Sequence, residues 1–435
     1  MPDAPAPAPD DVVARQYEAW AYPPPVDDMV EAIAGGYWEY ADIPACGPVF
    51  WPDRRDVGDL DILVAGCGTN QAAYVALRNP TSRVLAIDIS RASLAHTKYL
   101  AEKHGLRNLE VRLLDLNRVA ALERDFDFVL STGVLHHLED PGCGLRALRD
   151  VLRPDGVMHL MLYGSTLRQG VYLLQQAFHL MGLGQTAQDV EIVRRALAIL
   201  PARHSAHAYL NARNAAEELD DDAAIVDTFL HGRDRAYSPA QVFDLVEENG
   251  LAFLGWMDRL DFSVQAHCPG DDPLSTRIRA LGEREQAAVI DLIAYSRGVH
   301  RFNVCHPAHF KTAPKIGFRG DAFLHYVPRL HWRLQITRPV EPDPARPVTL
   351  ARDWHQVSLS RQEALLVDQC DGCRTIAQAL GALEAESMAD DDKVALARRL
   401  FALLHDTGHA LFCVPPRPAD DAPGERGDQP PGPGA

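Results

Sequence analysis

The apolar residues between positions 60 and 163 alternate between short strand-like runs and longer helix-like runs. The strand-like runs are rich in Val, Ile, Leu and Phe, as strands buried on both faces are. They are Asp61–Ala65, Arg83–Ile87, Leu109–Leu114, Phe126–Leu130 and Val157–Leu162. Because helical patterns separate these runs, the chain predicts an α/β fold built on a doubly wound, mostly parallel sheet.

The residues that follow these runs meet at one edge of the predicted sheet. In a doubly wound sheet, ligands bind outside the carboxyl ends of the strands. The residues at those ends are Gly66, Asp88, Asp115, Ser131 and Tyr163. We therefore expect the functional site at this edge.

The rest of the chain predicts helical additions and a second small domain. Residues 166–231 carry helical apolar stripes without a clear strand, which predicts an inserted helical cap, and Leu251–Trp256 and Arg301–Cys305 predict a return to the sheet. A Pro-rich linker then precedes three short helices and a closing strand. This last pattern resembles a small α+β winged-helix module.

These patterns divide the chain into segments with different expected roles. The segments are an N-terminal helix with a segment covering the ligand site (1–44), the core sheet (45–164), the inserted cap (165–236), the completion of the core with a helical insertion (237–337), the linker (338–348), the winged-helix-like module (349–414) and a disordered tail (415–435).

Charge and composition exclude several classes of partner. The 435 residues include 43 Lys and Arg against 60 Asp and Glu, a formal charge of −17 that repels polyanions. Residues 351–413 hold 6 basic and 10 acidic residues, so the module lacks a nucleic-acid-binding surface and is expected to dock a peptide or protein or to form a homodimer contact. No apolar stretch predicts a signal peptide or a membrane span, and eight dispersed cysteines favour reduced thiols. We expect a cytoplasmic protein without a nucleic-acid or membrane partner.

A glycine-rich turn joins the first strand to the next helix. Backbone N–H groups of Gly66-Cys67-Gly68 can approach a ligand there. Asp88 ends the second strand, 22 residues after Gly66, where a carboxylate can accept both hydroxyls of a ribose. A dinucleotide-binding loop requires a third small residue where this chain has Gln71, so NAD and FAD are disfavoured.

Several motifs in order resemble the class I (Rossmann-like, seven-strand) methyltransferases that depend on S-adenosylmethionine (SAM). The motifs are VAGCGTN, AIDIS, LLDLN, FDFVLSTGVLHHLEDP and LRPDGVMHLMLYG. The resemblance implies a Rossmann-like sheet, SAM as the cofactor and methyl transfer as the activity. The chain departs from the family at Asn70, which replaces a turn glycine, and at Asp155, which replaces the first glycine of Pro-Gly-Gly.

The resemblance also implies which residues contact SAM. By position, they are Gly66 and Gly68 for the methionine part, Asp88 for the ribose, Asp115 and Leu116 for the adenine, and Ser131 to Gly133 with His136 below the sulfonium. Cys67 and Ile89, next to these residues, are further candidate cofactor contacts.

Methyl transfer requires alignment of the reacting atoms and, for an amine or hydroxyl acceptor, a base. His136, after the fourth strand, and Tyr163, after the fifth, are the candidate catalytic residues. A pocket-wall role is the alternative for His136, and His137 is interpreted as a structural residue.

Four further residues are candidate substrate contacts. Tyr17 and Tyr22 lie in the N-terminal segment, which folds over the cofactor in similar methyltransferases, and simple core packing is the alternative. His231 and Tyr237 lie where the cap rejoins the sheet, and a solvated loop is the alternative there.

The spacing of cysteines and histidines does not predict a metal site. Cys370 and Cys373 flank an Asp-Gly turn without a second pair nearby, and Cys305-His306 precedes Pro307 in an expected irregular turn. The leading hypothesis is a methyltransferase acting on an N, O or C nucleophile of a small molecule. A peptide or protein acceptor docked by the C-terminal module and a non-catalytic SAM-binding scaffold are the alternatives.

Overall fold

The structure is a computed structural model that describes residues 11–37, 42–54, 57–212, 219–295, 298–339 and 348–415. The predictions of disorder for residues 1–10 and 416–435, and of a linker over 340–347, fall outside the described residues.

A seven-stranded sheet forms the centre of the molecule. Its strands are β1 (Asp61–Ala65), β2 (Arg83–Asp88), β3 (Leu109–Leu113), β4 (Phe126–Thr132), β5 (Leu152–Tyr163), β6 (Ala252–Trp256) and β7 (Val299–Cys305). Their order is β3-β2-β1-β4-β5-β7-β6; strands β1 to β5 pair in parallel, whereas β7 is antiparallel to both β5 and β6. The predicted mostly parallel, doubly wound sheet is confirmed.

Both faces of the sheet are buried, which explains the continuous apolar runs. In β1, Leu63 and Ala65 pack into one hydrophobic cluster, and Ile62 and Val64 pack into the cluster on the opposite face. All four side chains are fully buried. This alternation fixes the register of β1 between β2 and β4 and directs its terminal loop toward the ligand edge.

Helices cover both faces and follow the strands as predicted. Before β1 they are Val12–Ala19, Met29–Ala34 and Ile43–Phe50. Between β1 and β5 they are Gln71–Arg78, Arg91–Lys103, Pro141–Asp150 and the 3-10 helices Leu116–Leu122 and Leu135–His137. Around β6 and β7 they are Pro239–Glu248, Arg259–Phe262 (3-10), Val264–His267, Pro273–Arg279, Glu283–Ala294 and Pro307–Thr312.

The inserted segment between β5 and β6 forms a helical layer. Its described helices are Gln169–Leu180, Ala187–Ala198, Ala206–Ala212 and Asp222–Phe229. They share one hydrophobic cluster, against which Trp20 of the N-terminal segment also packs. The cap and the N-terminal segment therefore enclose the ligand edge together.

The C-terminal region has its own hydrophobic cluster and two small antiparallel sheets. Its strands are β8 (Val327–Leu330), β9 (Gln335–Thr337), β10 (Val348–Arg352), β11 (His355–Leu359) and β12 (Ala410–Cys413), and its helices are Ala322–His325 (3-10), Arg361–Val367, Ile376–Ala379, Leu380–Leu383 (3-10) and Asp390–Asp406. Strand β8 pairs with β12, and β9 pairs with β10, so strands before and after the expected linker share sheets. The winged-helix likeness and the domain boundaries stay predictions.

Polar contacts fix this region to the core. The guanidinium of Arg352 donates to Asp258 Oδ1 at 2.6 Å, and both side chains are almost fully buried. Among the described residues, no helix combines the length and the apolar character that crossing a membrane requires.

Candidate functional site

The turn after β1 forms a narrow glycine cradle. Gly66 and Gly68 have φ angles of 75° and 56°, in the left-handed region that favours glycine. A Cβ on Gly66 would lie 2.3 Å from a Val134 methyl carbon, and one on Gly68 would lie 3.2 Å from the carbonyl oxygen of Tyr22. A side chain at Gly66 would therefore collide with Val134, and one at Gly68 would crowd Tyr22 and Pro23.

Asp88 lies at the end of β2, beside this cradle. Its carboxylate accepts hydrogen bonds from the backbone N–H groups of Gly68 and Ser90, both at 2.9 Å. Burial raises the pKa of Asp88, and the backbone hydrogen bonds oppose that rise. Two backbone hydrogen bonds thus hold the carboxylate beside the glycine cradle.

Residues 17–26, which we call the N-terminal strap, cross the cradle. Thr69 Oγ1 donates to the Pro23 carbonyl at 2.7 Å, and Asn70 Nδ2 donates to the Pro24 carbonyl at 2.9 Å. The oxygen of the same Asn70 amide accepts from the N–H of Val26 at 3.1 Å. Asn70, where the family has a glycine, therefore attaches the strap to the loop below it.

A single cavity of about 850 Å³ joins the cradle to the cap. It is lined by most of the residues expected at the cofactor: Gly66, Cys67, Gly68, Asp88, Ile89, Asp115 and Leu116. The same cavity is lined by Tyr17, Tyr22 and Tyr163. Asp115 also caps the 3-10 helix that follows β3, accepting from the Asn117 N–H at 2.9 Å.

The wall opposite the cradle is centred on a carboxylate from the cap. Asp227, in the helix Asp222–Phe229, is only 3% exposed. It accepts hydrogen bonds from the hydroxyls of Tyr17 (2.9 Å) and Tyr163 (3.0 Å). Burial, followed by the charge of Asp227, raises the pKa of both tyrosines well above the usual value, so both hydroxyls stay protonated.

Two stacked histidines lie at this wall: His137 lines the cavity, and His231 packs against it outside the lining. The rings of His137 and His231 are 3.9 Å apart and nearly parallel. His137 Nδ1 faces the carbonyl oxygen of Arg233 at 2.9 Å, so it carries the proton and Nε2 keeps a lone pair. His231 Nδ1 accepts the N–H of Arg233 at 3.0 Å, so its proton lies on Nε2, 3.4 Å from the Tyr17 hydroxyl. The backbone of one residue thus sets opposite tautomers in the two rings.

These two histidines and Asp227 also have the composition of a metal site. One ligand atom from each lies within 4.8 Å of the other two. A metal would need the Nε2 lone pair of His231, but the hydrogen bond from Arg233 leaves the proton on that atom. The contacts favour a hydrogen-bonded cluster, and the absence of a metal site stays a prediction.

Four expected site residues lie outside the cavity lining: Ser131, His136, Tyr237 and His231, the last of which stacks on His137. Ser131 is buried and donates to the Ala65 carbonyl at 3.1 Å, linking β4 to β1. His136 is fully buried behind Tyr163, with ring centroids 3.9 Å apart, and burial lowers its pKa well below the usual value. Tyr237 pairs through its backbone with Tyr163 and packs on the core. Their functional roles stay predictions.

Sequence reasoning missed Asp227 and interpreted His137 as structural. The signal for Asp227 was present, because it is the acidic residue in the otherwise apolar stretch AAIVDTFL. An unpaired acidic residue on the buried face of a helix indicates a polar partner elsewhere in the fold. That partner could not be identified, because Tyr17 lies 210 positions away.

Comparison with known proteins identifies the core. A family model described as a methyltransferase domain matches residues 63–158. The ubiquinone biosynthesis O-methyltransferase of Methylocella silvestris is 30% identical over 128 residues, and the malonyl-[acyl-carrier protein] O-methyltransferase of Acetivibrio thermocellus is 32% identical over 106 residues. These matches span 29% and 24% of this chain, and 49% and 36% of the respective relatives.

Two similarities extend beyond the core. An uncharacterised protein of Synechococcus sp. is 31% identical over 302 residues, which is 67% of this chain and 70% of that protein. The structure of PKMT2 from Rickettsia typhi in complex with AdoHcy superposes with a TM-score of 0.60 at 15% identity, covering 90% of this chain and 77% of that one. The latter similarity shows the fold.

With its seven-stranded sheet and its match to a methyltransferase domain, the chain is a class I SAM-dependent methyltransferase. Within that class, it belongs to the same family as the Synechococcus protein. The glycine cradle and Asp88 fit SAM, because both line one cavity and Asp88 supplies a carboxylate acceptor there.

Proposed function

We propose that the chain transfers the methyl group of SAM to a nucleophilic atom of a small molecule held in the cavity. The supporting observation is that one cavity is lined both by the cofactor cradle and by the wall of Tyr17, Tyr163, His137 and Asp227. Its volume of about 850 Å³ lies within the usual range for ligand sites, roughly 300–1,000 Å³. A cofactor and a small acceptor group therefore share one chamber.

The residues of this chain provide placement and enclosure. When bound, SAM supplies an activated methyl group on a positively charged sulfur. The cradle and Asp88 hold the adenosyl part, and the N-terminal strap shields the site from water, which favours an in-line approach of the acceptor. The cap contributes the wall that faces the acceptor.

His137 is the residue that we assign as the base. Residue His137 lines the cavity, and its Nε2 is buried without a hydrogen-bond partner among the described residues. Burial lowers the pKa of His137, so the ring is neutral at neutral pH and can accept a proton. The sequence-based assignment of this role to His136 has less support, because that ring does not line the cavity. Tyr163 serves in this proposal to position Asp227.

Labelling of cell extract tests the proposed function. Purified protein is incubated with methyl-labelled SAM and with extract separated into small-molecule and macromolecular fractions. We expect label in the small-molecule fraction. Label confined to protein would support the peptide alternative instead, and absence of label in both fractions, despite measurable SAM binding, would contradict methyl transfer to either class.

An Asp88→Asn variant tests whether SAM binding depends on the Asp88 carboxylate. It keeps the shape of the side chain but loses the charge-assisted hydrogen bonds to the ribose, which should weaken SAM binding by about 10–100-fold. Calorimetry with SAM and S-adenosylhomocysteine measures this loss. The cytoplasmic location expected from the sequence remains part of the proposal.

A further inference from the structure

The cavity wall formed by Tyr17, Tyr163, His137 and Asp227 is called the acceptor wall. Its Asp227 is a buried negative charge with no cationic partner in the described part of the chain. Both oxygens of Asp227 accept hydrogen bonds from tyrosine hydroxyls that remain neutral, so the phenols solvate the charge without cancelling it. A buried carboxylate is costly unless an opposite charge accompanies it. The site therefore favours a positively charged ligand next to Asp227.

The nearest described cations are already paired with other acids. Arg168 lies over the ring of Tyr163, but it donates to Asp234 at 3.0 Å, and both side chains are almost fully buried. Arg233 donates to Asp11 at 2.8 Å. Neither guanidinium is within ion-pair distance of Asp227.

The whole cavity is acidic. Its lining includes the carboxylates of Asp11, Asp88, Asp115, Glu139 and Asp227 and the guanidinium groups of Arg233 and Arg301. Three tyrosine rings, of Tyr17, Tyr22 and Tyr163, also line it. Carboxylates combined with aromatic rings are the usual surroundings of an ammonium group.

We propose that the acceptor is an amine that enters as an ammonium, pairs with Asp227 and gives its proton to His137 Nε2. This inference rests on the proposed function and names its substrate class. One ring nitrogen of His137 and one carboxylate oxygen of Asp227 lie within 4.8 Å of each other, so an ammonium paired with Asp227 would lie close to the His137 ring.

The proposed methyl transfer needs no reactant besides the amine, SAM and His137. One N–H proton of the ammonium moves to His137 Nε2, which leaves a lone pair on nitrogen. That pair forms the bond to the methyl carbon while the carbon–sulfur bond breaks, and its electrons remain on sulfur. The products are a methylated ammonium and S-adenosylhomocysteine, and His137 then releases its proton to water.

The substrate class is tested with the wild-type protein. The labelled product from cell extract is analysed for the position of its methyl group, in the small-molecule and the protein fractions separately. Nitrogen-bound methyl supports the inference, and the labelled fraction distinguishes a free amine from a lysyl side chain. Methyl bound only to oxygen or carbon would overturn the amine assignment while leaving methyl transfer intact, whereas no transfer at all would overturn both.

An Asp227 variant tests whether this carboxylate pairs with the acceptor. We expect Asp227→Asn to lower kcat/KM for the amine by about 100-fold and to leave the SAM dissociation constant within about twofold. Asp222→Asn, on the exposed start of the same helix, is the matched control and should change neither. An equal loss of SAM affinity in Asp227→Asn would show that the carboxylate serves the sulfonium and would overturn the assignment.

A competition experiment on the wild-type protein tests the inference even if the Asp227→Asn variant does not fold. Choline and its neutral carbon isostere 3,3-dimethyl-1-butanol are compared as competitors of the acceptor on the wild-type protein. We expect choline to inhibit at concentrations at least about tenfold lower, because only the cation gains the charge pair and the ring contacts. Equal inhibition by the two compounds would contradict the inference.

Discussion

At the scale of single residues, the departure of this chain from its family at Asn70 has a structural reason. A glycine there would leave the hydrogen bond from Thr69 but would lose two others, because the Asn70 side chain donates to Pro24 and accepts from Val26. Asn70 therefore adds hydrogen bonds that hold the N-terminal strap against the loop after β1.

Replacing this side chain tests the attachment. Asn70→Ala removes two hydrogen bonds, each worth about 1 kcal/mol net. We expect SAM to bind about 5–30-fold more weakly, and the melting temperature without cofactor to change by only a few degrees. Isothermal calorimetry and thermal denaturation give the two values, and Asn211→Ala, on the exposed surface of the cap, serves as the control. Unchanged SAM affinity in Asn70→Ala would contradict a closing role for the strap.

The part of the site that the sequence predicted is the part that local chain geometry determines. Gly66, Gly68 and Asp88 follow directly from the strand ends before them, because a tight turn and a strand terminus are properties of neighbouring residues. The sequence did not predict the roles proposed for Asp227 and His137. These roles depend on contacts between the cap, the segment after β4 and the N-terminal strap, which are far apart in the sequence.

At the scale of elements, the strands that apolar runs predicted are present, including the closing strand β12, whereas the sequence did not predict β8, β9, β10 and β11. Strand β8 pairs with β12 about 80 positions later, and β9 pairs with β10 across the expected linker. Short, half-exposed edge strands of this kind lack a strong pattern of their own. Their partners, and so the extent of the C-terminal region, appear only in the folded chain.

This pairing predicts the result of a truncation. Ending the chain at Arg338 would leave β8 without β12 and would expose the buried Phe323 and Tyr326, which pack in the C-terminal cluster. We expect that protein to aggregate or to melt at a clearly lower temperature than the full chain. Ending the chain after Pro415 retains all described contacts and is the control. Equal stability of the two shortened proteins would show that β8 does not depend on β12.

At the scale of the whole molecule, buried histidines couple stability to pH. Burial is the main cause that lowers the pKa of His159 and His409 to about 4 and of His331 to about 2. In the unfolded chain these rings titrate near 6.5. The unfolded state therefore binds protons at mildly acidic pH that the folded state does not bind.

The sign of the effect follows from this difference. Above pH 6.5 the rings are neutral in both states and do not alter the free energy of unfolding, whereas each lowers it by up to about 1.4 kcal/mol per pH unit as the pH falls below 6.5. Asp88 acts in the opposite direction because its pKa is raised, but it is one group against several. We expect a melting temperature several degrees lower at pH 5.5 than at pH 7.5 by scanning calorimetry. A constant or higher value at pH 5.5 would contradict this account.

The N-terminal strap contacts both the loop after β1 and Asp227 of the cap. Its Pro23 and Pro24 carbonyls attach to the cofactor loop, and its Tyr17 supplies a hydroxyl to Asp227. We expect the strap to lift when S-adenosylhomocysteine leaves, and this motion would withdraw Tyr17 from Asp227. The acceptor would then bind only after SAM, and S-adenosylhomocysteine would leave after the methylated product.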